Sequence, residues 1–169
     1  MFEIGDYIVY GNNGVCKVEK IGYLDSSMVS GKKLYYTLNP YYTSGNTIFT
    51  PVDNQKVIMR PVLKKNEAEQ LIQEIPVIES LWIPDEKKRE FEYKQAFGKC
   101  DCRELVRIIK TIYLHKKSRM AEGKKVTSVD ERYFTMAENN LYGELALPLE
   151  MNKEDVKEFV TQTVDQLSN

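Results

Sequence analysis

The sequence predicts an α+β chain: a small SH3/Tudor-like β-barrel over residues 1–62, then a compact all-helical domain over residues 63–169. Three observations predict it. Short runs rich in β-branched and aromatic residues, broken by turn residues, fill roughly the first 60 positions. At Arg60-Pro61 the grammar changes, and apolar residues then recur at i, i+3, i+4 and i+7. Hydrophobic residues make up 42% and charged residues 29% of the chain, ordinary globular proportions.

The first half reads as five strands. Tyr7–Tyr10 is β-prone, and Gly11-Asn12-Asn13-Gly14 is a turn, because Gly and Asn tolerate positive φ at little cost. Val15–Ile21 follows, with Cys16 and Val18 alternating against Lys17 and Glu19. Gly22–Gly31 is expected as a loop or loose hairpin connection. Lys33–Leu38 and Thr47–Val52 are strand-like, and a short piece at Val57–Met59 completes the set. Alternation puts Tyr35 and Tyr36 on opposite faces, so at most one belongs to the core.

The second half reads as helices. Glu67–Ile75 carries Leu71, Ile72 and Ile75 on one stripe. Pro76 and Pro84 bracket an extended link holding Trp82, the only tryptophan. Asp85–Phe97 is the next helix, stopped by Gly98. Asp101 then caps a longer one, in a capping box with Glu104. That helix has its stripe at Leu105, Ile108, Ile109 and Ile112 and ends at Gly123. Thr127 or Ser128 begins a helix running to about Ala146, with Phe134, Ala137, Leu141 and Leu145 inward. Asn152 caps a last one with Val156, Phe159, Val160 and Val164 inward.

The net charge is only −1, but the charges are segregated. Residues 84–125 hold 13 Lys/Arg against 7 Asp/Glu, and residues 126–169 hold 3 against 9. Such a chain can turn one basic face to a polyanion. On the helix from Asp101, Arg103, Arg107, Lys110 and Lys117 share a face opposite the apolar stripe, with few acidic neighbours at i±4. Lys116 and Arg119 fall in the phase of that stripe. The last turn is therefore expected to project beyond the bundle, followed by Gly123-Lys124-Lys125. This basic surface reads either as a solvated face or as a set of phosphate contacts, and the lack of acidic partners favours the second.

Nothing points to catalysis. The single histidine, His115, is read as a surface residue. No nucleophile elbow, phosphate loop or dinucleotide fingerprint is present. Cys100 and Cys102 lack the further ligands a zinc site needs. The bland reading packs Cys102 as a small hydrophobe and leaves Cys100 exposed. No cofactor and no metal are expected. The odd cysteine count, the absence of a signal-peptide pattern and the absence of a membrane-length apolar run lead to a cytoplasmic expectation. Trp82 either wedges into DNA or staples the link onto the bundle, and large aromatics generally favour burial.

Taken in order, MFEIGDYIVYGNNGVCKVEKI, GKKLYYTL, TIFTPVDN and the exit IMRPV resemble the N-terminal domain of the CarD/CdnL family of bacterial transcription regulators. That domain is shared with transcription-repair coupling factors. The segment from Lys99 to Ala146, closing on Gly143-Glu144-Leu145-Ala146, resembles the family's helical domain. The resemblance implies a monomeric adaptor without enzymatic activity. Its β-domain would add a sheet edge to the RNA polymerase β subunit. Leu24, Lys33, Thr47, Ile48 and Phe49 are the implied contacts, Phe49 standing where relatives carry arginine. The helical domain would hold promoter DNA at the upstream edge of the transcription bubble, through the minor groove. The DNA candidates are Trp82, Lys87, Lys88, Arg89, Lys116, Lys117, Arg119, Lys124, Lys125 and Arg132. An ungapped count places the family's wedge at Glu86, one helical turn after Trp82. In the family that wedge slows bubble collapse and so favours the open complex. The competing reading is a Tudor/SH3-like module that recruits a protein partner without touching DNA.

Overall fold

Gly11 and Gly14 turn the first strand back on the second in the computed structural model of the protein, which describes residues 1–25 and 32–168. Both glycines have positive φ, +49° and +74°. A Cβ on Gly11 would sit 2.7 Å from Val57 Cγ1, so only glycine fits there. The described residues divide into two compact units, Met1–Val62 and Leu63–Asn169.

The first unit is one antiparallel sheet of five strands: β1 (Tyr7–Tyr10), β2 (Val15–Tyr23), β3 (Leu34–Pro40), β4 (Ile48–Pro51) and β5 (Met59–Pro61). Their order is β4-β3-β2-β1-β5. Alternation sends Ile8, Cys16, Val18, Tyr36 and Leu38 into one buried cluster, with Ile8 opposite Cys16 and Val18 opposite Leu38. Tyr36 is thus the core tyrosine, and its hydroxyl accepts from the Phe2 N–H at 3.0 Å. Burial pushes the Cys16 thiol up to about 11, which leaves it a packing group rather than a nucleophile.

The expected closed barrel is instead an open sheet. The pairing order ends at β4 and β5, which have no ladder to each other. Strand number and spacing are written in the sequence, whereas closure depends on tilt and shear, which they do not encode. The final strand also lies later than expected, at Met59–Pro61 rather than Val57–Met59, because Met59, Arg60 and Pro61 pair with β1. Gly22 and Tyr23, expected in a loop, extend β2 past a register shift between Val18 and Lys20. The rest of that expected connection, from 26 to 31, lies outside the described residues.

The second unit contains α1 (Lys65–Glu74), α2 (Arg89–Gly98), α3 (Cys102–Ala121), α4 (Ser128–Ala146) and α5 (Lys153–Ser168). Its core joins Leu71 and Ile72 of α1, Phe97 of α2, Ile108 and Ile112 of α3, Leu141 and Leu145 of α4, and Val156 of α5. Fully burying one such side chain contributes roughly 1.5–3 kcal/mol. The buried Glu144 on α4 accepts from the Leu63 N–H at 3.0 Å and faces the Cys102 thiol at 3.1 Å. That carboxylate ties the first residue of the unit and the start of α3 to α4.

Several local expectations need correction. Residues Glu86–Lys88 form a 3-10 turn, so the helix expected from Asp85 begins only at Arg89. Asp101 caps α3 by accepting from the Arg103 N–H at 2.8 Å, while the Glu104 carboxylate turns to Arg107 at 3.1 Å instead of reaching back. Cys100 is buried, not exposed, and adopts a positive φ of 54° in the turn between α2 and α3. Phe159 is 39% exposed, because α5 packs through the narrower stripe of Val156 and Val160.

Candidate functional site: a sheet edge and a cationic helical surface

In the β unit the candidate contacts sit at one end of the sheet. Among the described residues β4 pairs with β3 alone, in the register Thr37 opposite Phe49 and Leu38 opposite Ile48. Ile48 turns inward against the core cluster, and Thr50 is buried on the same face. Phe49 between them points outward and is 42% exposed. Ile48, expected as a side-chain contact, is therefore a core residue whose backbone alone lies on the edge. Leu24, Thr47 and Phe49 line one shallow groove of about 600 Å³, together with Tyr23, Thr37 and Asn39. Thr47 Oγ1 donates to Asn39 Oδ1 at 3.2 Å, which fixes the entry to β4. Lys33 is exposed just before β3 and is not among the residues lining that groove.

The helical unit rearranges the expected basic face. Arg103 pairs with Glu74 of α1. Arg107 donates to the Glu79 carbonyl at 3.3 Å as well as to Glu104. The Lys110 ammonium donates to the carbonyls of Ile75 and Ile78, and burial lowers its pKa from the usual lysine value. These three cations clasp α1 and the link onto α3 and are not free for phosphate. Apart from Glu104, three residues before Arg107, their partners come from distant sequence, which is why i±4 spacing missed them. Of that face only Lys117 remains without a partner among the described residues.

The remaining candidates fall into two sets. Arg89 donates to both Glu86 oxygens, at 3.0 and 2.7 Å, and to the Tyr93 hydroxyl at 2.9 Å. Arg132 pairs with Glu90 at 2.5 Å, and Lys124 with Glu122 at 3.2 Å. Arg119 closes the turn after α3 by donating to the Lys125 carbonyl at 2.8 Å. Lys87, Lys88, Lys116, Lys117 and Lys125 are all exposed, and none of their ammonium groups has an acidic partner among the described residues. Trp82 is 81% exposed, so the packing reading favoured by residue type is corrected: Leu81 and Ile83 on either side turn to the core and leave the indole outside. Leu81 is held there by its N–H donating to Thr111 Oγ1 at 2.7 Å.

The end of α3, expected to project beyond the bundle, is exposed at Lys116 and Lys117. They line a recess of about 490 Å³ between α3 and α4, whose other walls include Ile112, Tyr113, Met120 and Phe134. Lys116 keeps the phase of the apolar stripe because the two helices leave a gap there instead of closing on it. Tyr113 was missed at the sequence level. Its signal was the spacing Tyr113, Lys116, Lys117, Met120, which puts all four on one face.

His115 is also not a surface residue. Its Nδ1 lies 2.5 Å from Asp130 Oδ2, and its Nε2 lies 3.5 Å from Glu86. Asp130 is fully buried and accepts from the Tyr93 hydroxyl at 2.6 Å. Burial, then the bond to Asp130, raises the Tyr93 phenol well above its ordinary value, so it stays protonated and donates. The Arg89 guanidinium, bonded to Glu86, holds that carboxyl below the usual range. Asp130 sits in the first turn of α4, at the positive end of the helix dipole. The network pins the 3-10 turn carrying Lys87 and Lys88 to α3 and α4.

Among the described residues no group of three or more His, Cys, Asp or Glu is placed to hold a metal ion. No helix is long and apolar enough to cross a membrane. Residues 2–63 match the family model for the CarD-like/TRCF RID domain. No curated protein matches the chain.

Proposed function

We propose, from an N-terminal unit that is a CarD-like RNA polymerase-interacting domain, that the chain is a transcription regulator holding polymerase with that unit and promoter DNA with its helices. The observation that carries the reading is the outer strand β4, paired on one side only among the described residues and presenting Phe49. Such an edge binds by accepting a strand from its partner: main-chain hydrogen bonds supply affinity, and outward side chains select. The polymerase β subunit is the proposed source of that strand.

For DNA, the supporting features are an exposed indole and, among the described residues, lysines without an acidic partner on the helical unit. Trp82 stands where an apolar wedge can enter a minor groove and partly unstack a base step, a distortion costing a few kcal/mol that a melted edge has already met. A contact made only with distorted DNA shifts the closed–open equilibrium toward open. Trp82→Ala is expected to shorten the lifetime of the open complex about fivefold or more, on the order of 1 kcal/mol. The melting temperature of the protein should stay unchanged, as the indole is outside the core. An unaltered lifetime with purified polymerase would remove Trp82 from the site.

The lysines are tested by salt. Each phosphate contact contributes roughly −0.9 to the log–log slope of affinity against salt concentration. Lys116→Gln with Lys117→Gln is expected to flatten that slope on duplex promoter DNA by about 2. A slope that is flat already in the parent protein, with tight polymerase binding, would instead favour a protein-recruitment module that does not touch DNA.

A further inference from the structure

We infer that the recess between α3 and α4 takes one unpaired nucleobase, with the phosphates on either side of it held by Lys116 and Lys117. This rests on the reading of the helical unit as DNA-binding and names a second, single-stranded mode for it.

Two helices build the recess from regular spacing. On α3, Tyr113, Lys116, Lys117 and Met120 follow i, i+3, i+4 and i+7; on α4, Glu131, Phe134 and Thr135 follow i, i+3 and i+4. Ile112, almost wholly buried, forms the floor. The volume, about 490 Å³, lies within the range of small-ligand sites. Tyr113 is 59% exposed, a large aromatic held at the rim although the core lies one position away at Ile112.

The occupant follows from the chemistry of the walls. Apolar and aromatic surfaces at the centre call for a flat, weakly polar body. The two ammonium groups at the lip have no carboxylate ion pair among the described residues and call for anions close to that body. Glu131 and Thr135 add an acceptor and a hydroxyl that can meet polar atoms on a ring edge. A nucleotide in a single strand meets all of these at once: a π-face, a polar edge, and a phosphate on each side. A paired base does not, since its partner and neighbours keep it in the stack and out of a recess between helices. Discrimination between bases should be weak, because every base has a π-face.

The test uses the full chain and a short single strand with one central fluorescent purine, against the same sequence as a duplex. Binding of the single strand is expected to change the purine signal. Tyr113→Ala should weaken single-strand affinity about tenfold, within the range measured for loss of one stacking partner. It should leave duplex affinity and melting temperature unchanged, and Tyr113→Phe should restore single-strand binding. Equal single-strand affinity in the parent and Tyr113→Ala overturns the inference, as does a parent protein that binds the duplex but not the single strand. Displacement of the strand by dodecanoate at lower concentration than by free oligonucleotide also overturns it, in favour of an amphipathic anion. If neither nucleic acid binds, the DNA-binding reading itself falls.

Discussion

Phe49→Asp is expected to weaken binding of the chain to purified RNA polymerase by about 30- to 150-fold, or roughly 2–3 kcal/mol, the size of an interface hot spot. Two effects act together. The aromatic ring that stands out from β4 is lost, and a carboxylate is placed where an incoming strand must desolvate it. Because Phe49 faces away from the core cluster, the melting temperature should move by little. Ile48 offers no such clean experiment, as it packs on the core and its replacement would confuse binding with stability. Affinity within threefold of the parent would move the polymerase contact off this edge.

Asp130→Ala is expected to destabilise the helical unit by on the order of 3 kcal/mol, as seen when one member of a buried charged network is removed. The loss strands the Tyr93 hydroxyl and the His115 Nδ1 without their acceptor. The Thr127 cap survives, since it bonds the Asp130 N–H and not the side chain. Asp130→Asn keeps an acceptor for Tyr93 and should cost less. Chemical denaturation monitored in the full chain measures both. A change under about 1 kcal/mol for Asp130→Ala would show that water replaces the carboxylate at little cost.

The strands and helices were largely legible because each is set by local chemistry. The Gly11–Gly14 turn, the stripe of Leu105, Ile108 and Ile112, and the caps at Asp101 and Thr127 all act within a few residues. What stayed hidden depends on groups brought from elsewhere. Arg103 and Lys110 looked unpaired because Glu74 and the link carbonyls lie about 30 positions away, and the second contact of Arg107, to the Glu79 carbonyl, is as distant. His115 looked like a surface residue because Glu86 of the 3-10 turn and Asp130 at the start of α4 meet it only in the folded unit. Trp82 looked like core material by residue type, but its place depends on which of three consecutive side chains the link turns inward. The open sheet was hidden for a related reason, since strand count constrains pairing but not curvature.

Both outer strands finish in a proline, Pro51 on β4 and Pro61 on β5. Proline has no N–H to give, so a ladder growing along either border stops there. Within β4 the N–H groups of Ile48 and Thr50 turn to β3, so Phe49 alone can donate outward before the ring intervenes. A border this brief is enough to greet one guest strand supported by side chains, and too brief to template stacking of the molecule upon itself. The chain can thus leave a strand unclaimed while waiting for its enzyme without the fibre formation that long bare edges invite.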